Sequence, residues 1–155
     1  MTFVWLYGLG LVWILSALSY IDLKTYRLPN GLTALLILLG LSFNYVYGDL
    51  NAAAIGMVAG YILFLLVELG FKYARGIDGL GRGDAKLLAG GGAWCGWMYL
   101  PQIILIASAS AIFIVLIARL KRKDINRQTA IAFGPFLAMG ILCVWGAQMY
   151  SRGLL

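Results

Sequence analysis

Histidine is absent from the 155 residues, and only two cysteines occur, Cys95 and Cys143, each inside an apolar run. From that inventory neither a zinc cluster nor a CxxC redox pair can be assembled, so no metal and no cofactor is expected. Cysteines within apolar spans serve as small packing residues. Acidic residues number six against twelve Lys and Arg, and charged residues of both signs make up 12% of a chain that is 63% hydrophobic with a mean hydropathy of +0.91. So little charge points to an integral membrane protein. The N-terminus lacks the basic stretch and cleavage site of a secretory signal, so its apolar run is expected to stay as an anchor. There is no internal repeat and no linker long enough to separate a second domain, so a single transmembrane domain over residues 1–155 is expected.

Charge-free runs place the spans at Thr2 to Ile21, Leu28 to Gly48, Leu50 to Val67, Leu87 to Ala118 and Gln128 to Ser151. Crossing ~30 Å of hydrocarbon takes about 20 residues at 1.5 Å each, so the run from 87 to 118 is too long for one helix. It is expected to break near "MYLPQ", with Pro101 in the first turn of a new helix and a short fourth span over about Ala85 to Leu100. The basic residues check the split independently. With six spans and an outside N-terminus, Lys24 and Arg27 fall in the first inside connection. Lys72, Arg75, Arg82 and Lys86 fall in the second, and Arg119, Lys121, Arg122, Lys123 and Arg127 in the third. Only Arg152 is left outside. The expected fold is therefore an all-α, polytopic bundle of six transmembrane helices with both termini outside. The "RLKRKD" run then reads as a loop touching anionic lipid headgroups, and no nucleic-acid partner is called for.

The few acids sort by position. Asp49 and Asp124 belong to turns, and Glu68 closes the third span, where it can snorkel or pair with Lys72 at i+4. Asp22 ends the first span and Asp84 begins the fourth, so both reach the inner level of the bundle. A carboxylate at that depth is a functional-site hypothesis; the bland alternative pairs Asp22 with Lys24 or Arg27, and Asp84 with Arg82 or Lys86. Gly79, Gly81 and Gly83 beside Asp84 allow an extended substrate to lie against the backbone. Two nearby carboxyls tend to share one proton, which suits a pair that activates water as base and polarises a carbonyl as acid.

Three stretches resemble a known family. "GLGRGDAKLLAGGGAWCGW" is similar to the glycine-x-glycine-aspartate segment of type IV prepilin peptidases, which are intramembrane aspartyl proteases. "YIDLKTYRLPNGLT" resembles their first-aspartate segment, and "IAFGPFLAMG" their third signature, a Phe-Gly-Pro opening the last helix. The resemblance implies Asp22 and Asp84 as the catalytic pair, with Gly81, Arg82, Gly83 and Lys86 in an active-site loop. Pro29 and Asn30 would start the second helix, and Gly134 and Pro135 would position the last. Asp78 falls outside the motif; it and Glu68 are candidates to meet a basic leader. Arg82, where the family often has an aromatic or small residue, is expected to favour ionised Asp84 or to bind an acidic group on the substrate.

By the same resemblance, the substrate is a type IV prepilin or type II secretion pseudopilin, cut after a glycine at the cytoplasmic face of the bacterial inner membrane. Longer members carry an N-terminal extension with paired CxxC motifs associated with N-methyltransferase activity. This sequence starts at the first core helix, so peptidase activity without methyl transfer is expected. Three alternatives stay open. One is an archaeal-type preflagellin peptidase. Another is a small proton-coupled transporter or channel using Asp22, Glu68 and Asp84 as a relay. The third is a non-catalytic assembly subunit whose aspartates dock helices.

Overall fold

The computed structural model describes residues 2–75, 81–120 and 132–153, and these residues are all-helical. Among them run α1 (Thr2–Thr25), α2 (Asn30–Tyr47), α3 (Leu50–Arg75), α4 (Arg82–Cys95), α5 (Leu100–Leu120) and α6 (Gly134–Ser151), with one 3₁₀ turn at Trp97–Tyr99. Four stretches are long and apolar enough to cross a membrane: Phe3–Thr25, Asn30–Tyr47, Leu50–Gly70 and Trp97–Ala118. Large apolar side chains such as Leu6, Leu9, Trp13, Leu38, Leu105 and Phe113 face outward, as lipid contact requires.

α4 is built differently. Its 14 residues would cover about 21 Å, short of the ~30 Å of hydrocarbon. It forms the centre of the bundle, packed by α2, α3, α5 and α6, and its residues from Leu87 to Cys95 are all buried. A helix surrounded on every side needs small residues where backbones cross. The α3–α4 crossing is set by Gly56 and Gly92, where a Cβ on either would run into the other helix's backbone.

A helix that ends inside a bundle leaves carbonyls without partners. Two amide side chains supply donors. Asn44 Nδ2 of α2 reaches Ala93 O at 2.8 Å and Trp94 O at 3.0 Å, and Gln148 Nε2 of α6 donates to Cys95 O at 3.0 Å. Trp94 returns the contact through its indole N–H to Leu36 O at 2.8 Å. Around this end Tyr7, Phe43, Trp94 and Trp145 pack edge-on or stacked, with successive centroids 5.4–5.9 Å apart, tying α1, α2, α4 and α6 together.

Several boundaries differ from the sequence expectation. The break in the long run comes at Gly96, ahead of "MYLPQ", because Gly96 at φ 84° closes α4 with its N–H on Gly92 O at 2.8 Å. Pro101 does fall in the first turn of α5. α1 runs a turn past Ile21, supported by the Thr25 hydroxyl donating to Ile21 O at 2.9 Å, so Asp22 lies within the helix. α3 likewise passes Val67 to reach Arg75. The basic run after Leu120, and Asp78 and Gly79, lie outside the described residues.

Replacing Asn44 with Leu keeps the branched outline of the side chain but strands the Ala93 and Trp94 carbonyls, which should cost about 1–3 kcal/mol. Detergent-solubilised Asn44→Leu should melt several degrees below the wild type; an unchanged melting curve would show that these carbonyls do not need the amide.

Candidate active site

One end of the bundle gathers the C-terminal turn of α1 and the first turns of α2, α4 and α6. Pro29 precedes α2 with extended backbone and Asn30 opens it, as expected. Gly81 caps α4 in an extended conformation, and the Asp84 N–H donates to Gly81 O at 2.9 Å. Arg82, Gly83 and Lys86 therefore belong to the first helical turns of α4 and not to a loop, which corrects the sequence expectation, and Asp84 lies in the same turn. A rigid turn fixes the direction of the Asp84 side chain more closely than a loop would.

Asp22 and Asp84 line one cleft of ≈ 360 Å³ together with Tyr26, Arg27, Leu28, Gly81, Arg82, Gly83 and Lys86. Both acids are buried, at 5% and 9% exposure. The simple ion-pair alternative is not what brings them there. Among the described residues neither carboxylate forms an ion pair. Lys24 Nζ sits 4.4 Å over the Tyr20 ring, Lys86 Nζ donates to Asn30 Oδ1 at 2.6 Å, and Arg82 Nε lies 3.9 Å from Glu68 Oε1. Glu68 thus approaches Arg82 across the α3–α4 junction, a partner the sequence reading did not propose. Arg82 lines the same cleft but forms no ion pair with Asp84. Burial instead pushes the Asp84 carboxyl up to about 7, and the nearby Asp22 charge adds to the rise.

Asp22 has a different partner. The Gly134 N–H donates to Asp22 Oδ2 at 2.9 Å, and a Cβ at Gly134 would stand 2.6 Å from that oxygen. The Phe-Gly-Pro signature is explained residue by residue. Phe133 stacks on Phe64 of α3 at 6.2 Å and anchors the start of α6. Its carbonyl accepts the N–H groups of Phe136 at 3.1 Å and Leu137 at 3.2 Å. Pro135 has no N–H. Of the donors orphaned at this helix start, only that of Gly134 points outward, and Asp22 takes it. An N–H at a helix N-terminus binds the charged carboxylate more strongly than the neutral acid. The two acids are therefore inequivalent. Sequence reasoning placed Gly134 near the site but missed its backbone donor, which no side-chain pattern advertises. Asn44 and Gln148 were missed as well, though polar amides inside apolar runs were a visible signal.

Fold and site together define a multi-helix membrane protein with a buried, asymmetric pair of carboxyls at one rim. Its sequence matches the type IV leader peptidase family over residues 9–117, which include both acids, and the chain belongs to that family. It is 43% identical over 145 residues to a prepilin leader peptidase/N-methyltransferase of Pectobacterium carotovorum subsp. carotovorum, covering 88% of this chain and 52% of that protein. Its identity to the enzyme of the same name from Escherichia coli (strain K12) is 49% over 126 residues, covering 79% and 55%, and to that of Legionella pneumophila 41% over 151 residues, covering 94% and 52%. The chain thus spans about half the length of these relatives. No solved structure matches it.

A buried acid with a raised pKa destabilises the fold once it ionises. Asp84 has an ordinary value of 3.8, so the penalty is absent below about pH 4, grows as pH climbs toward 7 and is complete above it. Asp84→Asn, which cannot ionise, should match the wild type in unfolding free energy at pH 4 and exceed it at pH 8 by an amount on the order of a few kcal/mol, with a correspondingly higher melting temperature. A gap that does not widen with pH would refute the buried, proton-holding Asp84.

Proposed function

We propose that this chain is an aspartyl endopeptidase that removes the leader of type IV prepilins or type II secretion pseudopilins. The observation that carries this reading is the meeting of Asp22 and Asp84, far apart in sequence, on one cleft of ≈ 360 Å³. A peptide held across the cleft presents its carbonyl to both acids. Asp22, charged and held by the Gly134 N–H, takes a proton from water as the water oxygen attacks the carbonyl carbon. Asp84, holding a proton near neutral pH, donates it to the carbonyl oxygen. As the tetrahedral intermediate collapses, Asp22 passes its proton to the amide nitrogen, Asp84 takes one back from a hydroxyl that becomes the carbonyl, and the C–N bond breaks. No step draws on a metal or a nucleophilic side chain.

The basic residues of the connections favour this rim lying on the cytoplasmic side of a bacterial inner membrane, and the reading takes six spans, both termini outside, and residues 1–155 as one peptidase domain in contact with anionic lipid. A substrate whose leader stays in the cytoplasm and whose apolar helix enters the membrane then offers its scissile bond at the level of the carboxyl pair. Asn30 and Lys86 tie the start of α2 to α4 beside the cleft and keep Asp84 in register with Asp22.

Co-expression with a prepilin tests the proposal. The wild type should shift the substrate to the mature mobility, while Asp22→Asn and Asp84→Asn should each lower processing by at least roughly a hundredfold, the scale of general acid–base catalysis. Because Asp84 acts as the acid, the rate should fall as pH rises through about 7. Either amide variant processing at the wild-type rate would remove the assignment.

A further inference from the structure

Tyr26 closes α1 in a conformation that few side chains adopt. Its φ is 52°, the only positive value at a non-glycine among the described residues, and its N–H donates to Asp22 O at 2.9 Å. That is the left-handed position that commonly ends a helix, where glycine or asparagine is the usual occupant because a bulky side chain is strained there. Packing does not explain the tyrosine, which is 57% exposed. It nevertheless lines the cleft beside the two acids, as the single aromatic among the described residues that do so. Strain kept without a packing reward points to use by a bound partner.

We infer that Tyr26 is a substrate-positioning residue, its ring forming the wall against which the peptide lies on the water side of the bond to be cut. The placement follows from helix geometry and rests on the peptidase reading above. Tyr26 stands four residues beyond Asp22, or about 6 Å along the α1 axis. It also lies just past the apolar stretch that ends at Thr25, and so on the side away from the hydrocarbon. An extended peptide advances about 3.3 Å per residue, so the ring meets substrate about two residues from the scissile bond. A tyrosine ring offers a broad, amphipathic face that loses little entropy when covered, which suits it to hold a backbone of varied sequence. This is binding in the ground state, so its loss raises KM and leaves kcat nearly untouched.

Purified wild type, Tyr26→Gly, Tyr26→Asn, Tyr26→Phe and Asp84→Asn should be compared in steady-state processing of a prepilin and in thermal melting. Glycine and asparagine both accept the left-handed backbone while removing the ring. They should raise KM by roughly five- to tenfold with kcat within about twofold, and Tyr26→Phe should behave as the wild type. Tyr26→Gly should melt at or above the wild-type temperature, since it relieves strain. Wild-type kinetics in Tyr26→Gly, a kcat loss at unchanged KM, or a melting temperature several degrees lower would each overturn the inference. A wild type no faster than Asp84→Asn sinks the peptidase reading and this inference with it. An active wild type matched by Tyr26→Gly sinks this inference alone.

Discussion

A helix of 14 residues buried in the middle of a membrane bundle has nowhere to hide its ends, and this constraint organises the molecule. In hydrocarbon an unpaired carbonyl costs several kcal/mol, so such a helix persists only if neighbours supply donors. Asn44 and Gln148 do so at the C-terminal end of α4, where the Trp94 indole also binds back to α2. With that end secured, and with the Gly56–Gly92 crossing setting the approach of α3, the axial position of α4 is determined. The depth of Asp84, in its first turn, follows from contacts at the far end of the same helix. The aromatic cluster and the polar cleft therefore belong to one device, and substitutions at either end of α4 are coupled through a stiff rod.

The other acid is placed by a different rule. Asp22 lies on a long apolar helix, where a carboxyl has few partners, and it finds a backbone N–H at the start of α6. The orphan donors of that helix start are disposed of one by one: two go to the Phe133 carbonyl, proline deletes a third, and Asp22 receives the remaining one. Asp84 has no such donor from another helix among the described residues and, partly withdrawn from water by burial, meets the Asp22 charge. Two chemically identical side chains, both buried, thus sit in different settings, one held by a backbone N–H and the other without such a donor. Environments that push two carboxyls apart are what acid and base roles require.

What could be read from the sequence follows the same division. Asp22 and Asp84 stood out because charge is scarce and both fall at span ends on the basic side. The six helices followed from apolar runs and the placement of Lys and Arg. The short fourth helix was expected too, but its end at Gly96 was not, because residues 87–118 form one uncharged run in which only the left-handed Gly96 marks the break. A glycine that bends the chain looks the same in sequence as Gly92, which instead admits a neighbouring backbone. Tertiary packing brings Arg82 of α4 alongside Glu68, a contact that helix spacing does not reveal, while the Lys72 side chain of the expected pair lies outside the described ones. The Gly134 donor and the strain at Tyr26 are backbone properties and leave no trace in residue chemistry.

Hydrolysis inside a membrane protein has to reconcile water with hydrocarbon, and the helix termini are where that is possible. Mid-helix, every N–H and C=O is already paired, so no backbone donor is free to hold a charged carboxylate. At a terminus, donors are available and irregular backbone is tolerated because it borders a wet cleft. The end of α1 and the starts of α4 and α6 converge on this rim, each contributing what only a terminus can: a turn held open at Tyr26, a capped first turn carrying Asp84, and an outward N–H from Gly134. A longer α4 with its end in water would need no internal caps. Its shortness lets its first turn meet water at one rim while its last turn is sealed in the protein interior, which is the arrangement a membrane-embedded acid pair requires.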